Sequence, residues 1–238
     1  MKRLVTLLFM IFCASLLVAN EHVSVTSDIQ HEYHNHETFE VWYDVDTKNP
    51  AYVIWDLTAE DAIISAQNNH RKSWTFNKCG SAPNATVTYK KSGFDRGHMC
   101  PSEDRDLSED DARNTFRGCN VCPQTHKLNA GRWKIWEEKE RSLAQKYGLV
   151  TVIAGPVYTD KNVRIKGEHV VPDRFFKIII INNEPKYILV FDQSNTEMFV
   201  SLEDIEKLTG LKFEVFHDKD NRNYPLTHLV LTKKIVKV

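Results

Sequence analysis

The run Gly93-Phe94-Asp95-Arg96-Gly97-His98, followed by Asn120-Val121-Cys122-Pro123-Gln124 and then by Leu128-Asn129-Ala130-Gly131-Arg132-Trp133-Lys134-Ile135-Trp136-Glu137, constrains this chain more than any other stretch. An imidazole takes a proton from water near neutral pH. A guanidinium two residues earlier suits a charged ester. A carboxamide oxygen suits a hard cation. Any one of these pieces recurs by chance. Together, in this order, they point to one-metal hydrolysis at a charged centre.

The three pieces resemble the DNA/RNA non-specific endonuclease family, whose active site is a ββα-metal finger. The family's Asp-Arg-Gly-His box matches Asp95 to His98, its Asn-x-x-Pro-Gln strand matches Asn120 to Gln124, and its Asn-x-x-x-Trp…Glu helix start matches Asn129 to Glu137. Shorter matches are Gly93-Phe94, Gly155-Pro156-Val157, and Val171-Pro172 leading into Phe175-Phe176-Lys177, so the likeness covers residues 52–193. The resemblance implies an α+β fold: a mixed, mainly antiparallel sheet flanked by helices, carrying the finger. It also implies a metal-dependent endonuclease that hydrolyses the phosphodiester bonds of DNA and RNA with little sequence or sugar specificity.

Carried over residue by residue, the resemblance makes His98 the general base and Asn129 the direct ligand of Mg²⁺, or of Mn²⁺ or another divalent cation. Glu137 steadies the ion's water shell. Arg96 meets the phosphate, Arg141 holds Glu137 and reaches phosphate, and Asn120 joins the catalytic set by supporting the loop or orienting His98. Asp95 is expected to pin the finger through backbone hydrogen bonds. Each residue also has an ordinary reading: a core histidine, an N-cap at Asn129, surface pairs of Glu137 with Lys134 or Arg141, a salt bridge from Arg96 to Asp95 or Glu137. Glu137 lies slightly more than two helical turns beyond Asn129 and so on the same side. Trp133 reads as core, while His126, Lys127, Arg132, Arg113 and Arg117 form a basic surface that tracks a nucleic-acid backbone without reading bases. Arg71 matches an upstream arginine. One departure is Met99-Cys100 before Pro101, where the family carries a small or amide residue and Ala. The rival reading is a catalytically silent secreted module of the same fold, against which the intact His98, Arg96, Asn129 and Glu137 speak.

Residues 1–20 read as a secretory signal peptide, Lys2 and Arg3 preceding an apolar stretch, which leaves 21–238 as a single nuclease domain. No later segment is long and apolar enough to cross a bilayer. The expected product is secreted or periplasmic, without stable membrane association. With 31 basic against 32 acidic residues, the chain exerts no global pull on nucleic acid, which disfavours a DNA-coating protein and leaves room for local contacts. Cys79, Cys100, Cys119 and Cys122 are an even set, expected to form two disulfides with three pairings open. A zinc site on Cys119-x-x-Cys122 is the alternative.

Strands are expected at 39–44, 51–56, 115–121 and 150–155, with a hairpin of 175–181 and 187–191 across Asn182-Asn183-Glu184-Pro185. Helices are expected at 59–67 behind Thr58, behind Ser108, over 129–147 with Gly148 as the stop, and over 201–208 before Gly210. The segments 32–37 and 73–92 read as loops.

Overall fold

Apolar β-branched and aromatic runs form the central strands here, and polar capping residues start the helices. The computed structural model describes residues 23–28, 30–70 and 74–215. The expected signal segment and Arg71 lie outside the described residues. The strands are β1 (Val23–Thr26), β2 (Glu32–Asn35), β3 (Glu40–Asp44), β4 (Asn49–Thr58), β5 (Asp95–His98), β6 (Val121–Gln124), β7 (Leu149–Val157), β8 (Arg174–Ile181), β9 (Glu184–Asp192), β10 (Glu197–Phe199) and β11 (Lys212–Val215). The helices are α1 (Ala59–Gln67), α2 (Ala85–Thr88), α3 (Glu109–Asn114), α4 (His126–Leu128), α5 (Lys134–Tyr147) and α6 (Leu202–Thr209).

Seven strands make the main sheet in the order β10-β9-β8-β7-β4-β3-β2, while β1-β11 and β5-β6 are separate pairs. Every pairing between these strands is antiparallel. The side-chain period of two sorts the sheet into two faces. Val53, Trp55 and Leu57 of β4, with Phe175 and Ile179 of β8, share a core with Trp133, Trp136 and Leu143 and with the cysteines of the β5–β6 region. Tyr52, Ile54, Phe176, Ile178 and Ile180 face the other way, onto Ile205 of α6 and Phe213 of β11. Each large side chain so buried contributes about 1.5–3 kcal/mol. One layer therefore serves as a rigid floor for the finger. Among the described residues no helix is long and apolar enough to cross a membrane.

Local chemistry explains the element ends. Thr58 Oγ1 accepts from Asp61 N at 3.0 Å, and Asp61 Oδ2 accepts from Thr58 N at 3.1 Å, a capping box that starts α1 where expected. The β8–β9 turn uses Asn182 and Asn183, both with positive φ (52° and 59°), as a two-residue hairpin turn requires.

Three expectations fail for physical reasons. The polar segment 32–37 was expected as a loop, yet Glu32 to Asn35 pair with β3 as the sheet's edge strand, where alternating exposure tolerates polar side chains. The expected strand 115–121 is instead a 3₁₀ turn, Gly118–Asn120, with β6 beginning at Val121. The expected loop 73–92 contains α2, capped by Asn84.

Candidate active site

The candidate site is assembled on β5, β6 and the helical segment that follows them. Register places His98 opposite Val121 and Gly97 opposite Cys122. A Cβ on Gly97 would lie 2.0 Å from Oε1 of Gln124, a fully buried side chain, so only glycine admits this close approach. After His98 the chain is held by Asn120. Its Oδ1 accepts from Cys100 N at 3.0 Å, its Nδ2 donates to Cys100 O at 2.9 Å and to Thr115 O at 3.0 Å, and its carbonyl accepts from Met99 N at 2.9 Å. Asn120 is wholly buried and its amide is fully used. With its amide so used, Asn120 holds the loop after His98 and has no side-chain group left over to meet substrate.

Asn129 sits at a break in the helix. Thr125, not Asn129, is the N-cap, its Oγ1 accepting from Leu128 N at 3.3 Å. Asn129–Trp133 then form a wide π-type turn in which Gly131 leaves helical geometry, and a Cβ at Gly131 would strike Asn195 Oδ1 at 2.5 Å. The expected continuous helix over 129–147 is thus corrected, and the eight-residue spacing to Glu137 does not lie on one regular helix. Asn129 Nδ2 donates to Asp95 Oδ2 at 3.1 Å, and His126 Nδ1 lies 2.8 Å from the same oxygen. Asp95, paired with Gln124 in the β5–β6 ladder, thus also ties the finger together through its side chain. By engaging the nitrogen of Asn129 it leaves Oδ1 as the outward acceptor, which suits a hard cation.

Trp133 is core, as expected, and also donates through Nε1 to the His98 carbonyl at 3.1 Å. The strand bearing His98 and the helix bearing Glu137 are joined by this bond. Glu137 follows Trp133 by one turn, and its side chain makes no hydrogen bond among the described residues. Burial pushes its carboxyl up to about 7, with Lys177 and Arg141 opposing and Asp104 and Glu103 adding to the rise. Its carboxylate and Asn129 Oδ1 are both oxygen donors, the set that Mg²⁺ prefers.

Arg141 is committed elsewhere. Its guanidinium bonds Asp104 at 2.9 Å and Glu103 at 3.0 Å and is little exposed, so it bears on Glu137 through charge rather than contact. Beside it, Lys177 pairs with Glu140 at 2.7 Å, both fully buried. Trp55 Nε1 donates to Asp104 Oδ2 at 3.0 Å, tying this charge cluster to the sheet.

Arg96 is exposed, its guanidinium 5.1 Å from the ring centre of Phe76. His98 is set between the rings of Phe76 and Phe116, 5.3 and 5.0 Å away. Neither salt bridge considered for Arg96 forms among the described residues. Arg113 pairs with Glu109, Arg117 bonds Asn114, and Arg132 stands 3.9 Å from Glu197, while Lys127 and His126 are exposed.

Sequence reasoning missed the latch from the β9–β10 turn. Gln193 accepts from Thr125 N at 2.8 Å and donates to Pro123 O and Pro172 O, both at 2.9 Å, while Asn195 accepts from Arg132 N at 2.6 Å. The polar turn Asp192-Gln193-Ser194-Asn195 was the available signal. The Lys177–Glu140 pair had none, beyond a lysine inside an otherwise apolar strand.

The cysteine expectation is corrected too. Among the described residues one bridge forms, Cys79–Cys119, while Cys100 and Cys122 are buried thiols. Pairing of Cys122 against Gly97 points it into the core. Burial pushes both thiols far above their usual range, leaving them protonated and unreactive.

Comparison with known proteins agrees with this fold. The chain is 30% identical over 222 residues to the mitochondrial nuclease EXOG of Xenopus laevis, covering 82% of this chain and 61% of that protein. It is 28% identical over 219 residues to the mitochondrial nuclease of Saccharomyces cerevisiae, covering 76% and 65%. The chain thus spans under two thirds of the length of these relatives. A crystal structure of the EndoG/EndoGI complex shares the fold, with a TM-score of 0.62 at 24% identity over 76% of this chain and 84% of that one. Human endonuclease G is likewise named mitochondrial. These names, mitochondrial for the relatives concerned, overturn the expected secreted or periplasmic destination. The sequence profile of the DNA/RNA non-specific endonucleases matches residues 19–220, and the chain belongs to that family.

Proposed function

We propose that the chain is a metal-dependent endonuclease that hydrolyses phosphodiester bonds in DNA and RNA with little sequence preference. The observation that carries this reading is the junction at Asp95. The strand that ends in His98 begins with the carboxylate that holds the Asn129 amide, so proton acceptor and cation ligand are fixed to one another. Trp133 closes the same junction from the other side. His98 accepts a proton from water at its imidazole as the water attacks phosphorus. Arg96, exposed beside it, meets the non-bridging phosphate oxygens. Asn129 Oδ1, and Glu137 through water, would hold a divalent ion of Mg²⁺ type, which when bound would supply charge stabilisation to the phosphorane and the leaving 3′ oxygen. Arg141 and Asn120 serve by position, the first through the charge cluster under Glu137 and the second through the loop after His98. Contacts to phosphate alone carry no base information, hence the weak sequence preference.

Incubation with plasmid DNA and with structured RNA, in Mg²⁺ and in chelator, tests the proposal. Cleavage of both substrates in Mg²⁺ and of neither in chelator is the expected result. Retention of nucleic acid without cleavage in either condition would mark a silent binding module instead.

A further inference from the structure

Away from the His98 site, His36, Cys79 and Cys119 bring three ligand atoms within 4.8 Å of one another. His36 Nε2 lies 3.4 Å from Cys119 Sγ and 3.6 Å from Cys79 Sγ. Tetrahedral zinc, with sulfur at about 2.3 Å and nitrogen at about 2.0–2.1 Å, sets nitrogen and sulfur ligands about 3.6 Å apart. The imidazole thus already stands at ligand distance from both sulfurs. The ring is steadied by Phe39, with centres 4.7 Å apart, and by a stack with His34 at 6.3 Å. His36 is partly exposed and Gly80 beside Cys79 is exposed, which gives the cluster a route to solvent.

We propose that His36, Cys79 and Cys119 form a site for a soft divalent cation of zinc type, closed while the Cys79–Cys119 bond stands and opened by its reduction. Nitrogen and sulfur donors separate this site from the oxygen donors of Asn129 and Glu137. In the opening step an external dithiol is oxidised to its disulfide. Its two electrons break the Sγ–Sγ bond, and each sulfur takes one proton. Zinc then replaces both protons, leaving two thiolates and the neutral imidazole as ligands and water in the fourth position. The Cα atoms of the two cysteines are 5.6 Å apart, so side-chain rotation suffices to part the sulfurs. Cys119 directly precedes Asn120, the residue that holds the loop after His98, so the cluster borders the finger without belonging to its chemistry.

The test is zinc titration of reduced, anaerobic protein against a chromophoric chelator, with Mg²⁺ in excess to occupy oxygen-donor sites. Reduced wild type is expected to take up one equivalent that the oxidised protein does not. His36→Ala, which keeps both cysteines, is expected to bind that equivalent at least about ten-fold more weakly. Cobalt in place of zinc is expected to give thiolate charge-transfer absorption in the reduced protein alone. Equal zinc uptake by oxidised and reduced protein, or unchanged affinity in folded His36→Ala, overturns the proposal. None of these readings depends on nuclease activity.

Discussion

Replacing Lys177 by Met removes one charge from the centre of the protein and little else. The lysine stem runs along β8 on the face that meets α5, and a methionine of similar length refills it. Its ammonium, 2.7 Å from Glu140 Oε2 and 4.6 Å from the ring centre of Trp133, has no access to water. Burial drives the Glu140 carboxyl upward, Asp104 and Glu137 add to that, and Lys177 is the strongest opposing influence. Without it Glu140 is a buried carboxyl that has lost its hydrogen-bonded cation and keeps only the more distant charge of Arg141 to favour ionisation. Breaking a fully buried pair from one side costs about 3–5 kcal/mol. For a domain of this size that lowers Tm by about 6–20 °C, at about 2–4 °C per kcal/mol. The sign with pH follows from the raised carboxyl. Below its unfolded value near 4.3, Glu140 is protonated in both states and adds no penalty. As pH rises the unfolded chain loses the proton first, so the native state holds more protons and stability falls, levelling above the folded value. K177M should therefore lose more at pH 8 than at pH 5, and K177M/E140L should recover most of the loss. Thermal unfolding followed by circular dichroism at both pH values reads this. A Tm within about 2 °C of wild type for K177M, or no recovery in the double variant, refutes the reasoning.

Other outcomes follow from the same geometry. Gly97→Ala drives a Cβ into buried Gln124 and should cost about 1–3 kcal/mol in chemical denaturation, with parallel loss of cleavage. Asn129→Ala should raise the Mg²⁺ concentration for half-maximal cleavage, and Asp95→Ala should do so more mildly by freeing the Asn129 amide; an unchanged metal titration in Asn129→Ala removes it from the ligand set. Trp133→Phe deletes the indole bond to the His98 carbonyl and should cost about 1 kcal/mol of stability with a disproportionate fall in kcat.

What sequence disclosed and what it hid divide along local and tertiary lines. Thr58, Ser108 and Ser201 mark helix starts because a cap acts within three residues. The finger was legible because its residues are close in sequence and chemically unusual together. Asn129 misled because Asn is a common N-cap, whereas here Thr125 takes that place and the helix breaks at Gly131, where Asn195 packs in from across the chain. Arg141 read as a partner for Glu137 one turn away, but Asp104, 37 residues earlier, meets it in space. The buried Lys177–Glu140 pair and the Gln193 latch depend on how β8, β9 and α5 pack, which no window of sequence contains. The cysteine count assumed an oxidising destination, while the fold decided which cysteines could meet, bringing the Cα atoms of Cys79 and Cys119 to 5.6 Å.

His98→Ala tests the central claim most directly. The account predicts that cleavage of plasmid and RNA in saturating Mg²⁺ falls by about 10²–10⁴-fold at neutral pH, the usual range for a lost general base. Retention of the same nucleic acids in a gel-shift assay should stay close to wild type, because His98 acts on water rather than on affinity. A variant that still cleaves at near wild-type rate contradicts the account.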